Sequence, residues 1–168
     1  MLIRNLTLLS LLLPCLLLAT SVAAESDERV EVAFAETDRY TDAGNRPRDH
    51  ERNLDRLESF LVEAVESCLP EGERVAIQVL DVDLAGRYEW WHHPDGVRVM
   101  RDVDFPRLKI EYTHYGSDGD MIDEQQHWIR DMNYLRQGAR RSDWDALSHE
   151  RRMIRRWADE QFCRRTDR

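Results

Sequence analysis

The stretch Arg74–Tyr115 constrains the fold most, because it crowds three strand-like runs into one short span. Val75–Leu84, Val97–Val103 and Leu108–Tyr115 are rich in β-branched and aromatic residues and are set apart by turn formers. Leu108, Ile110 and Tyr112 alternate with Lys109, Glu111 and Thr113, the period-two pattern of a strand with one buried face. In the first run, Val75, Ile77 and Val79 point one way and Ala76, Leu80, Val82 and Leu84 mostly the other. That pattern predicts a central strand covered on both faces, and Gly86 permits a sharp exit from it. Val97, Val99 and Val103 predict a third strand, broken at Phe105-Pro106 because proline cannot donate to a ladder. Between the first two runs lies an aromatic and histidine-rich loop, Trp90–Gly96.

Upstream, Val30, Val32 and Phe34 alternate with Glu31 and Ala33 and predict a half-buried strand. Thr37–Arg48 is rich in turn formers and reads as a loop. Over Asp49–Leu69, Leu54, Leu57, Leu61, Val65, Cys68 and Leu69 recur at helical spacing, with Asp49 as a cap and Pro70 and Gly72 as the stop. Gly116–Gly119 is a turn, after which Met121–Ile129 returns as a strand, with a helix as the competing assignment because its alternation is poor. Ser142 and Asp145 resemble a capping box opening a second helix that runs to about Phe162 and turns Leu147, Ile154, Trp157, Ala158 and Phe162 inward. The order β-α-β-β-β-β-α predicts an α+β fold: one mixed or antiparallel sheet of about five strands, with two helices packed on one face.

Residues 1–24 have the layout of a secretory signal peptide: Arg4, the apolar run Leu6–Leu18, and the small-residue site Val22-Ala23-Ala24. The run is short for a membrane anchor and Pro14 interrupts it. Pro14 also stands where a lipoprotein signal ahead of Cys15 needs a small residue. The expectation is cleavage after Ala24, a periplasmic or secreted product, residues 25–168 as one domain, and no membrane span after cleavage. That address permits disulfides. Cys68 and Cys163 are the two cysteines beyond residue 24, each near the C-terminal end of a predicted helix, so a bridge is expected, with two unpaired thiols as the alternative. Charge is uneven: residues 136–168 hold ten Arg against six acids, while residues 25–135 hold 13 basic against 27 acidic side chains. An acidic body repels nucleic acid, and the basic tail is expected to face that body.

Several groups carry candidate chemistry. Asp81 and Asp83, two apart on a strand, share a face; with Asp102 or Asp104 they suit a divalent cation or acid–base work. The structural alternative pairs them with Arg87, Arg98 or Arg101, whose forks fit carboxylates. His92 and His93 with Asp95 are transition-metal candidates, although adjacent histidines in an extended segment point apart. Trp90, Trp91 and Pro94 suit an exposed aromatic platform, or else lid the core. Ser148-His149-Glu150 is triad-like only in print, since neighbours in sequence do not converge as triad members do. HExxH, CxxC, GxSxG and phosphate-loop patterns are absent from the sequence.

Asp81-Val82-Asp83-Leu84-Ala85-Gly86-Arg87 resembles the central motif of the DUF3016 family of exported bacterial proteins. Arg98-Val99-Met100-Arg101-Asp102, Pro106, Asp131-Met132-Asn133-Tyr134-Leu135, Glu150-Arg151-Arg152-Met153 and Trp157 are similar to it as well. The resemblance runs from about Val30 to Phe162 and implies a single exported domain, with no catalytic residues to carry over. Trp90-Trp91-His92-His93 lies outside that pattern. The functional expectation is a non-catalytic binding protein without a cofactor, acting as a monomer on an envelope protein or small ligand. The alternative is a metal-dependent hydrolase or metal-binding protein using Asp81, Asp83, His92 and His93.

Overall fold

A computed structural model of the chain describes residues 28–89, 91, 97–136 and 147–164. The leader, Trp90, His92, His93, Asp95 and the Ser142/Asp145 capping box lie outside the described residues. Strands β1 (Val30–Phe34), β2 (Arg74–Asp83), β5 (Arg107–Tyr115) and β6 (Met121–Arg130) form a mixed sheet in the order β1-β2-β5-β6. A separate two-stranded ribbon pairs β3 (Arg87–Glu89) with β4 (Val97–Val99). Helices α1 (Pro47–Glu66) and α2 (Ser148–Ala158) complete the fold, the latter running into a π-type turn at Asp159–Cys163. The α+β class stands as expected. The main sheet has four strands rather than about five, because the predicted third strand leaves it. Only Val97–Val99 is extended, and Val103 is 77 % exposed, so burial gives the second half of that run no reason to join the sheet.

β1 and β2 are parallel and joined through α1, while β2–β5 and β5–β6 are antiparallel. The registers Val32↔Ile77, Ile77↔Tyr112, Val79↔Ile110 and Val82↔Leu108 gather the apolar side chains on one face. Into it α1 sets Leu57, Phe60, Leu61 and Val65, and α2 sets Met153, Ile154 and Trp157. Each such side chain, fully buried, contributes roughly 1.5–3 kcal/mol. Val82 shares the face of Val79 because the β2–β5 pairing slips between Val79 and Asp81. This bulge takes up Leu80 and flips the parity that follows. The double-sided apolar pattern of β2 is therefore a bulge, and the face opposite the helices bears Gln78, Asp81, Glu111 and Thr113.

α1 begins two residues before the expected Asp49. Pro47 takes the first turn, where its missing N–H costs nothing, and Asp49 pairs with Arg52 at 2.7 Å instead of capping. Beyond the end of the helix, the Arg29 guanidinium donates to the carbonyls of Leu69 and Pro70, each at 2.7 Å. The strand assignment for β6 holds. Its alternation is poor because Asp123, Gln125 and His127 take the inward positions and satisfy one another: Tyr112 donates to Asp123 at 3.0 Å, Gln125 to Asp123 at 2.9 Å, and His127 Nε2 lies 2.7 Å from Gln125 Oε1. Phe60–Arg151, Glu63–Arg155 and Cys68–Cys163 come together in step, so α1 and α2 run in the same direction. Their ends are joined by the expected disulfide, Cα–Cα 4.6 Å. Among the described residues, no helix is long and apolar enough to cross a membrane.

Candidate recognition arm and its ion-pair mount

The C-terminal end of β2 positions everything else here. The 40–44 loop lies along it: Asp42 N–H donates to Val82 O at 2.8 Å, and Leu84 N–H donates to Asp42 O at 3.0 Å. Asp81 receives both the N–H and the hydroxyl of Thr41, each at 2.8 Å. Asp83, 3 % exposed, is held by Arg107 at 2.7 Å and Arg87 at 3.1 Å. The two carboxylates thus share a face but serve different partners. Next, Gly86 turns the chain into β3 at φ +76; a Cβ there would stand 2.7 Å from Val99 O, so only glycine fits.

From β4, Arg98 forks onto Asp42 at 2.9 and 3.0 Å and also donates to the carbonyls of Ala85 at 3.2 Å and Gly86 at 2.9 Å. Such bidentate, charge-assisted contacts fix orientation as well as energy. Arg87 bridges to Asp104 at 3.2 Å, and Arg101 pairs with the buried Glu89. Of the ion pairs expected for Asp81 and Asp83, Asp83–Arg87 is present, whereas Arg98 goes to Asp42, Arg101 to Glu89 and Asp81 to Thr41; Asp102 is exposed, and Asp104, whose N–H donates to Arg101 O at 2.9 Å, is the acid turned inward. From the far end of the chain, Glu150 is 2 % exposed and accepts the Ala85 N–H at 2.8 Å. Burial pushes its carboxyl above the ordinary 4.5, against the pull of the Ala85 bond, Arg98 and Arg152. The Tyr134 hydroxyl, whose pKa burial raises, donates to Arg101 O at 2.8 Å, and the Tyr134 backbone carbonyl accepts from Arg152 at 3.0 Å. His149 sits edge-on to Tyr134 while Glu150 reaches Ala85, so the two diverge as the sequence suggested.

What this mount carries is an arm: β3, β4 and the segment to Asp104. Trp91 is 61 % exposed on it, which places this indole on the surface rather than over the core. A polar groove of about 420 Å³ runs beside the arm, between Asp38–Asn45, His50 and Arg87-Tyr88. Tyr40 lines it and donates to Val79 O at 2.9 Å; burial, then the charge of Asp81, push its hydroxyl up to about 12. Asp42, Glu89, Arg107 and Glu150 were not expected at the centre of this network. Only the frequency of Arg and Asp around Gly86 hinted at it. Among the described residues, the grouping of three potential metal ligands is Cys68, Asp159 and Cys163, and its two sulfurs are spent on each other.

The motifs singled out in the sequence converge on this corner. Asp81–Arg87 supplies the floor, Arg98–Asp102 the arm, Asp131–Leu135 the Tyr134 brace and Glu150–Met153 the buried acid. No curated protein and no solved structure matches the chain. A family model does, the one described as Protein of unknown function (DUF3016), over residues 28–160, a span that holds the strands and α-helices of the described residues. The chain belongs to the DUF3016 family.

Proposed function

We propose that the chain is an exported, non-catalytic binding protein of the cell envelope that meets its partner through the β3–β4 arm and the groove beside it. The observation that carries this reading is the exposure of apolar side chains on an anchored element: Trp91 at 61 % and Val103 at 77 %. Aromatic groups presented this way supply contact area at little entropic cost. The ion pairs beneath the arm hold it in place before binding, which lowers the ordering cost of association. A cleaved leader delivers the domain to the envelope, and intact-mass analysis of the exported form is expected to show a chain beginning at Glu25. In crosslinking and native mass spectrometry with envelope extract, the native chain is expected to retain a partner that a Trp91→Ala, Val103→Ser variant loses at unchanged melting temperature. Equal capture by the two proteins, or none by either, would count against the arm.

The metal-dependent alternative draws no support from the carboxylates. Thr41 occupies both oxygens of Asp81, and Arg87 and Arg107 hold Asp83. Elemental analysis of protein purified without chelator or metal-affinity tag is expected to find no stoichiometric metal. A metal lost on His92→Ala, His93→Ala replacement would restore that alternative.

A further inference from the structure

Strand β6 is ten residues long, lies at the margin of the sheet, and is paired with β5 alone among the described strands. A long edge is a template for another strand, and proteins commonly blunt it with lysine or proline. β6 carries neither, and it exposes Met121 and, at 51 %, Trp128. Its one irregularity lies at the start, opposite His114 and Tyr115, so Asp123–Arg130 is a regular edge. Charge is graded along the open face of this hairpin. Glu111 and Glu124 are diagonal neighbours toward one end, while Lys109, Arg107 and Arg130 gather at the other. Arg107 and Arg130 stand directly opposite each other, an unfavourable cross-strand pair. Arg107 is occupied by Asp83, and Arg130 is exposed.

We propose that β6 pairs antiparallel with β6 of a second copy about a two-fold axis through His127. A two-fold axis across the edge brings together only residues of the same face, so paired positions must be both odd or both even. With the axis at His127, Glu124 falls opposite Arg130 of the partner subunit, twice by symmetry. Gln126 falls opposite Trp128 of the partner subunit, and the two indoles become diagonal neighbours, within roughly 7–8 Å. Axes at Gln125 or Gln126 leave Glu124 facing Gln126 or Trp128. On the other face, the axis passes between two His127 rings, each already stacked on its own Tyr112 at 5.7 Å. The two four-stranded sheets become one continuous sheet, and the acidic end of each hairpin covers the basic end of the other. This pairing uses neither the arm nor its groove, and it replaces the expectation of a monomer.

Sedimentation velocity from low to high micromolar, on protein with the Cys68–Cys163 bridge intact, tests it. The native chain is expected to pass reversibly from monomer to dimer. Glu124→Arg turns two attractive cross-strand pairs repulsive and is expected to weaken the dimer roughly ten-fold or more. The Glu124→Arg, Arg130→Glu double variant is expected to restore it, and it also guards against a folding defect, with far-UV circular dichroism as the check. A native chain that stays monomeric overturns the proposal, including one whose β6 amides gain hydrogen-exchange protection from an extended peptide. So does a dimer that Glu124→Arg leaves unchanged.

Discussion

The peptide group between Leu84 and Ala85 and the one that follows are gripped from two directions. Glu150 accepts the Ala85 N–H while Arg98 donates to the Ala85 carbonyl. The carboxylate of this buried acid thus reaches backbone 65 positions away. Because burial raises its pKa, the folded chain holds the proton to higher pH than the unfolded chain. Stability therefore falls as pH rises from about the ordinary 4.5 through the folded value, then levels. Glu150→Gln keeps an acceptor without the charge, so denaturant titrations across pH are expected to show that decline flattened and no loss of stability at neutral pH. Glu150→Ala leaves a buried donor unpaired and is expected to cost about 1–3 kcal/mol. Gly86→Ala is expected to cost more than the roughly 1–2 kcal/mol of a left-handed residue, because the added Cβ also meets Val99 O. Glycine's role at position 86 was legible in the sequence, since a sharp turn after a strand needs it. The role of Glu150 was not, because no local pattern marks an acceptor for a distant N–H.

At the level of elements, the α1–α2 pair is closed at one end by the disulfide, which spans 95 positions. In the chain-entropy model, removing it with Cys68→Ser, Cys163→Ser is expected to cost about 4–5 kcal/mol in urea titrations. Asp159 Oδ1 lies 3.8 Å from Cys68 Sγ and 3.6 Å from Cys163 Sγ, contacts that are not hydrogen bonds because bridged sulfurs carry no proton. A carboxylate there repels an attacking thiolate and disfavours the departing one. A charge pair at 4 Å in water is worth about 1 kcal/mol, so Asp159→Asn is expected to speed reduction by dithiothreitol roughly five-fold. Equal rates would leave Asp159 without that role. Helical periodicity located α1 and the buried stripe of α2, since the stripe is written locally in the residues. The bulge at Leu80 and the exit of β4 from the main sheet were hidden, because both depend on which partner strand lies alongside.

At the scale of the whole molecule, three arginines of the basic tail, among the described residues, face the body of the domain. Arg155 pairs with Glu63, Arg156 with Asp131 at 3.4 Å, and Arg151 stacks over Phe60. With these guanidinium groups engaged and the net charge at −9, the anisotropy of a short fluorescent oligonucleotide is expected to stay unchanged at physiological salt. Binding there would show that the tail faces outward. The sequence by itself determined the α+β class, helix α1, the buried stripe of α2, the alternation of β5 and which two cysteines could pair. Each of these follows from residue spacing or from the presence of just two candidates. Only the tertiary structure decided that Asp104 rather than Asp102 turns inward, that Asp81 and Asp83 serve different partners, and that β6 is left as an edge. Those outcomes depend on which side chains meet across long separations in the chain, and periodicity carries no information about that.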